Sequence, residues 1–89
     1  MEIKNLYDYV TYLMKEQNIT TMRQLTTLMN VSPNIGTRIK NGHGMSELTH
    51  KRLAKVLMPD DEIHFVNIAA ALKDKHVVNI NNKKEVTFL

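Results

Sequence analysis

Residues 30–42, NVSPNIGTRIKNG, restrict the fold more than any other part of this chain. Asn30 suits the left-handed position that ends a helix, because its short amide tolerates positive φ. Two residues later Ser32 can cap a new helix, with Pro33 at the first helical position, where a missing N–H costs nothing. Asn41-Gly42 then stops that helix, with Gly42 as the expected left-handed residue. Two short helices joined by so brief a turn must cross steeply. The second of them carries only two large apolar side chains, Ile35 and Ile39, one turn apart, so most of its surface is predicted to face away from the core.

The flanking sequence supplies the other elements. Leu6, Tyr9, Val10, Leu13 and Met14 form a stripe at helical spacing, with Asn5 as cap, which predicts a helix over about residues 6–17. Thr21 and Gln24 make a capping box for the helix ahead of the turn, whose inner face is read as Met22, Leu25, Leu28 and Met29. Ser46 caps a fourth helix to about residue 57, with Leu48, Leu53, Val56 and Leu57 turned inward. Pro59 and the acids of DDE mark a fifth helix to about residue 74, with Ile63, Val66, Ala69 and Ala70 on its inner side, joined by Phe65 and Leu72. The last segment changes period: Val78 and Ile80 are answered by Val86 and Phe88 across a turn at NNKK, a β-hairpin. Such a hairpin is marginal alone, so it must dock on the helices or pair with a second chain.

The expected fold is mainly α: five helices with a C-terminal β-hairpin, in one domain over residues 1–89. Residues 1–74 form the helical part and residues 75–89 the hairpin, a candidate dimerisation element. At 89 residues a single core is only just sufficient, and a dimer interface would add burial. The composition, 43% hydrophobic and 24% charged, is that of an ordinary globular protein. Without cysteine the chain has neither disulfides nor cysteine-based zinc sites. No apolar run approaches the length of a membrane span and no signal-peptide pattern is read, so a cytoplasmic protein is expected.

The net charge of +3 is unevenly placed. Residues 18–58 carry Arg23, Arg38, Lys40, Lys51, Arg52 and Lys55 against Glu47 alone, while residues 59–74 sum to −3. A localised basic surface is the electrostatic footprint of a nucleic-acid binder. With about 100° per residue, Ile35 and Ile39 set the buried direction of the third helix; Thr37 and Asn41 then point outward, Asn34 and Lys40 lie beside them, and Arg38 sits on the flank. Arg can bond guanine, Asn adenine, and Thr a base edge or the thymine methyl. No acid on this face repels phosphate.

The segment TMRQLTTLMNVSPNIGTRIKNG resembles the helix-turn-helix of the Cro-like (XRE-type) DNA-binding family. Thr21, Gln24 and Leu25 match its opening, Val31-Ser32 its turn, and Ile39 with Asn41-Gly42 its end. Ser46 to Leu57, containing LAKVL, resembles the helix that follows, so the likeness covers about residues 6–58. It implies a Cro/repressor-like helix-turn-helix domain acting on double-stranded operator DNA, a small transcriptional regulator of phage type and a repressor, without cofactor and without membrane contact. The residues it implies as base readers are Asn34, Thr37 and Arg38. Thr21, Ser32, Lys40 and Asn41 fall at phosphate-contact positions, Met22 at a position often taken by a polar contact residue, and His43 in the loop beyond.

Three residues depart from the family pattern. Thr26 replaces a small alanine, Asn30 a turn glycine, and Gly36 a buried branched aliphatic. Either Ile35 fills that last position through a small rotation, or Gly36 allows closer helix packing.

Other chemistry is weakly signalled. His43, His50, His64 and His76 lack metal-ligand spacing, the DDE acids are explained by a helix start, and no nucleophilic triad or phosphate loop is present, so an enzyme is not expected. A homodimer is expected, through the hairpin or through the alanine-rich face of helix five, reading half-sites about 34 Å apart. The alternatives are a DNA-binding antitoxin, whose C-terminal region would grip a protein partner, and a protein-interaction module that kept the scaffold without binding DNA.

Overall fold

The computed structural model describes residues 1–43, 45–74, 76–80 and 86–88. Five helices are present: α1 (Leu6–Glu16), α2 (Met22–Met29), α3 (Asn34–Lys40), α4 (Glu47–Leu57) and α5 (Glu62–Lys73). Strands β1 (Glu2–Ile3), β2 (Val78–Ile80) and β3 (Val86–Phe88) form an antiparallel sheet in the order β1-β2-β3. The fold is thus mainly helical with a small sheet made from the two ends of the chain.

Side-chain caps set most helix starts. Asn5 accepts from the Asp8 N–H at 2.8 Å, Ser46 from Thr49 at 3.2 Å, and Asp61 from His64 at 3.1 Å. Each satisfies a first-turn donor that has no partner within its own helix. Three helices end alike, with a left-handed residue followed by a backbone bond that spans the last turn. Asn18 has φ 59°, Asn30 φ 58° and Gly42 φ 73°, and the following Ile19, Val31 and His43 donate to the carbonyls of Met14, Thr26 and Arg38. This is the Schellman arrangement. At Asn18 it also drives Ile19 into the core, a burial the periodicity of α1 does not reveal.

The core is organised around Tyr9 of α1 and Phe65 of α5, whose rings stack with centroids 5.5 Å apart. Val10, Leu25, Ile39, Leu53 and Ile68 are buried with them, so all five helices contribute. The sheet closes the core with Ile3, Val78 and Ile80.

Val78 opposes Phe88 and Ile80 opposes Val86, the pairing expected of the hairpin; its turn at NNKK lies outside the described residues. The hairpin is not alone, however. Glu2 and Ile3 pair with Asn79 and Val78, and Met1 exchanges backbone bonds with Ile80, so β2 is a central strand. A two-residue strand has no alternation to detect, and its pairing joins residues nearly eighty positions apart.

Several inward assignments are corrected. Leu28 and Leu48 are exposed, at 55% and 60%, while Thr26 and Ala54 are buried in α2 and α4. In α5, Ile63, Val66 and Ala70 face outward, and Phe65, Ile68, Ala69 and Leu72 face the core. Both sides of α5 are apolar, so periodicity alone cannot choose between them; stacking of Phe65 on Tyr9 decides. The capping box is shared: Thr21 accepts from Gln24, but the Gln24 side chain turns back to the N–H and hydroxyl of Thr20. Among the described residues no helix is long and apolar enough to cross a membrane.

Candidate nucleic-acid interface

The α2–turn–α3 unit is held from three sides. Asn30 adopts φ 58° and ψ 47°, reversing the chain in one residue. Arg52 of α4 donates from Nη1 to the Asn30 carbonyl at 2.9 Å and the Met29 carbonyl at 3.4 Å. A cation is thereby placed on the last carbonyls of α2, where the helix dipole favours it. Ser32 begins α3: its Oγ accepts from the Asn34 N–H at 3.3 Å and its carbonyl from Ile35 at 3.0 Å, while Pro33 already has helical dihedrals.

Gly36 fixes how α3 sits on α2. A Cβ on Gly36 would lie 3.3 Å from the Cβ of Met22 and 3.7 Å from Cγ2 of Thr26. Close packing, not rotation of Ile35 into a vacant position, therefore accounts for the glycine; Ile35 is only half-buried, while Gly36 and Ile39 are buried. The buried side of α3 lies between Gly36 and Ile39, which turns the outward direction by about 50° from the Ile35–Ile39 midpoint. Asn34 and Asn41 now stand at the centre of the outward face, with Thr37 and Arg38 on either side and Lys40 at its border.

Of the candidate residues, Thr21, Ser32, Asn34, Thr37, Arg38, Lys40, Asn41 and His43 are exposed. Met22 is half-buried against Gly36, where its role is packing. Thr21 spends one oxygen lone pair on the Gln24 N–H and keeps its own O–H as a donor at the start of α2. Ser32 is placed in the same way at the start of α3.

Two residues enter that sequence reasoning left aside. Arg23 is exposed in the first turn of α2, and being the one cation in that helix was its available signal. Arg52, which composition ranks with Lys51 and Lys55 as a surface cation, is engaged with the turn; only the fold reveals it.

Charge reinforces the geometry. No acidic residue occurs between Glu16 and Glu47, a segment that spans α2, the turn and α3 and contains Arg23, Arg38 and Lys40. The side chains of this segment therefore offer hydroxyl, amide and cationic donors and no carboxylate of their own. Such a set can bond phosphate oxygens and base-edge acceptors, and the two asparagines also carry amide acceptors for base donors. Among the described residues no three His, Asp or Glu side chains converge as a metal site would require.

No protein-family model matches the chain, no curated protein matches it, and no solved structure matches it.

Proposed function

We propose that the chain is a small sequence-specific DNA-binding regulator of Cro-like (XRE-type) character, acting in the cytoplasm as a homodimeric repressor on an operator. Asn34, Thr37, Arg38 and Asn41 enter the major groove on α3 and read base edges. Thr21, Arg23, Ser32 and Lys40 contact the phosphates around them, and His43 extends this contact beyond α3.

The observation that carries the reading is the outward face of α3. Its short amide, hydroxyl and guanidinium side chains are presented together, on a helix whose opposite side is locked by Gly36 and Ile39 and within thirty residues that hold no acid. A helix that only completed a core would gain nothing from excluding Asp and Glu from its solvent side.

The experiment is selection of bound duplexes from a random-sequence library at near-physiological salt. Enrichment of an inverted repeat supports the reading, and the half-site spacing gives the dimer geometry. No enrichment by the folded protein would replace it with a protein-interaction module.

A further inference from the structure

Of the five large apolar residues exposed among the described residues, three line one groove. Leu48 of α4 is 60% exposed, and Ile63 and Val66 of α5 are 76% and 41% exposed. They border a cavity of about 570 Å³ between the two helices, floored by the buried Ala54. Ile63, Val66 and Ala70 fall on successive turns of α5, so the apolar strip runs on past Val66 into a second groove beside Met45. Single exposed apolar side chains are ordinary, but a contiguous strip is the mark of a covered surface.

The rims of the groove carry opposite charges. Lys51, Arg52 and Lys55 stand on the α4 side, where Lys51 also pairs with Glu47 at 3.6 Å, and Glu62 stands on the α5 side. An acidic partner would meet Glu62 unfavourably, and a basic one Lys51 and Lys55. DNA is disfavoured by the apolar floor and the acidic rim. A second copy related by a two-fold axis fits both: the α4 rim of each protomer faces the α5 rim of the other, as an isologous contact requires.

We infer that the α4–α5 groove is the dimer interface of this protein, its occupant the same groove of a second copy, with Ile63 and Val66 packed across the axis. This rests on the homodimer part of the reading above and names the surface. It also assigns dimerisation to α4 and α5 in place of the hairpin.

The test is sedimentation equilibrium without DNA, so it judges the interface separately from the duplex selection. The wild-type chain is expected to dimerise, and Ile63→Asp to weaken dimerisation by at least about tenfold. Ile63 is exposed in the first turn of α5, where an aspartate suits the helix dipole, so the fold should survive and far-UV circular dichroism checks it. The double variant Lys51→Glu/Lys55→Glu and the single variant Glu62→Lys should each dimerise weakly, while their equimolar mixture recovers the dimer. A wild-type monomer at millimolar concentration, an Ile63→Asp dimer of wild-type affinity, or a mixture no tighter than its components would each overturn the inference.

Discussion

Cγ2 of Thr26 lies 3.7 Å from the point where a Cβ on Gly36 would stand, so the two residues that most alter the α2–α3 contact alter it together. Thr26 adds a methyl to α2 in place of the expected alanine, and Gly36 removes a side chain from α3. The Thr26 hydroxyl, fully buried, donates to the Arg23 carbonyl at 3.1 Å, so the extra polar atom is satisfied within its own helix.

Gly36 is accordingly intolerant of size. In Gly36→Ala the helix-propensity gain of about 1 kcal/mol is opposed by a 3.3 Å contact with Met22 Cβ, an atom held by the α2 backbone. Its stability should stay within about 1 kcal/mol of wild type. Gly36→Val adds two more carbons and should lose about 1–3 kcal/mol in urea unfolding. DNA affinity should fall with it, as α3 is pushed from α2. Wild-type stability in Gly36→Val would show that the helices stand further apart.

Asn30 is held at φ 58°, where an L side chain without a local hydrogen-bonding group is strained. Asn30→Ala should cost about 1–2 kcal/mol, whereas Asn30→Gly should be close to neutral, because glycine reaches this region freely. Equal losses in thermal unfolding of the two variants would show that the Asn30 side chain, not its backbone conformation, is what matters.

Arg52 is expected to support the fold without contacting DNA. Its guanidinium sits on the Met29 and Asn30 carbonyls, so Arg52→Met should lower stability by about 1–2 kcal/mol. The slope of binding against salt should not change. A slope reduced by about one would mean that Arg52 also meets a phosphate.

Much of this was legible from local chemistry. The caps at Asn5, Thr21 and Ser46, and the left-handed turns at Asn30 and Gly42, are properties of short segments, and the helices follow from them. What stayed hidden depends on distant partners. Which side of α5 is buried is settled by Phe65 meeting Tyr9, Arg52 finds its acceptors on another helix, and β1 exists because Ile3 pairs with Val78. At the site, residue types gave the outward set, but the glycine contact decided which members stand at its centre.

Tyr9 is 1% exposed, and among the described residues its hydroxyl has no hydrogen-bond partner. Burial above all, with smaller contributions from Tyr12 and Asp61, pushes its pKa up to about 12 from the usual 10. The folded state keeps a proton that the unfolded chain releases above pH 10. Stability is therefore full below pH 10 and is lost as pH rises towards 12, by about 2–3 kcal/mol from this group. Tyr9→Phe removes the unsatisfied hydroxyl, so it should unfold at the same or a higher temperature at pH 7 and lose less stability between pH 10 and 12. A clear drop in melting temperature at pH 7 would show that the hydroxyl has a partner, such as a buried water.

The DNA-binding proposal divides α3 into residues that read and residues that hold. Asn34, central on the outward face, and Arg38 beside it should govern sequence preference. Asn34→Ala and Arg38→Ala should each cost about 1–3 kcal/mol on the selected operator and relax discrimination at a small number of positions. Lys40, at the border, has the reach for a phosphate but not the central direction. Lys40→Ala should weaken operator and unrelated duplexes alike and reduce the salt slope by about one. Competition titrations over a salt series separate the two behaviours. If Asn34→Ala and Arg38→Ala weakened all duplexes equally, their role would be electrostatic or structural, and the face of α3 would no longer account for specificity.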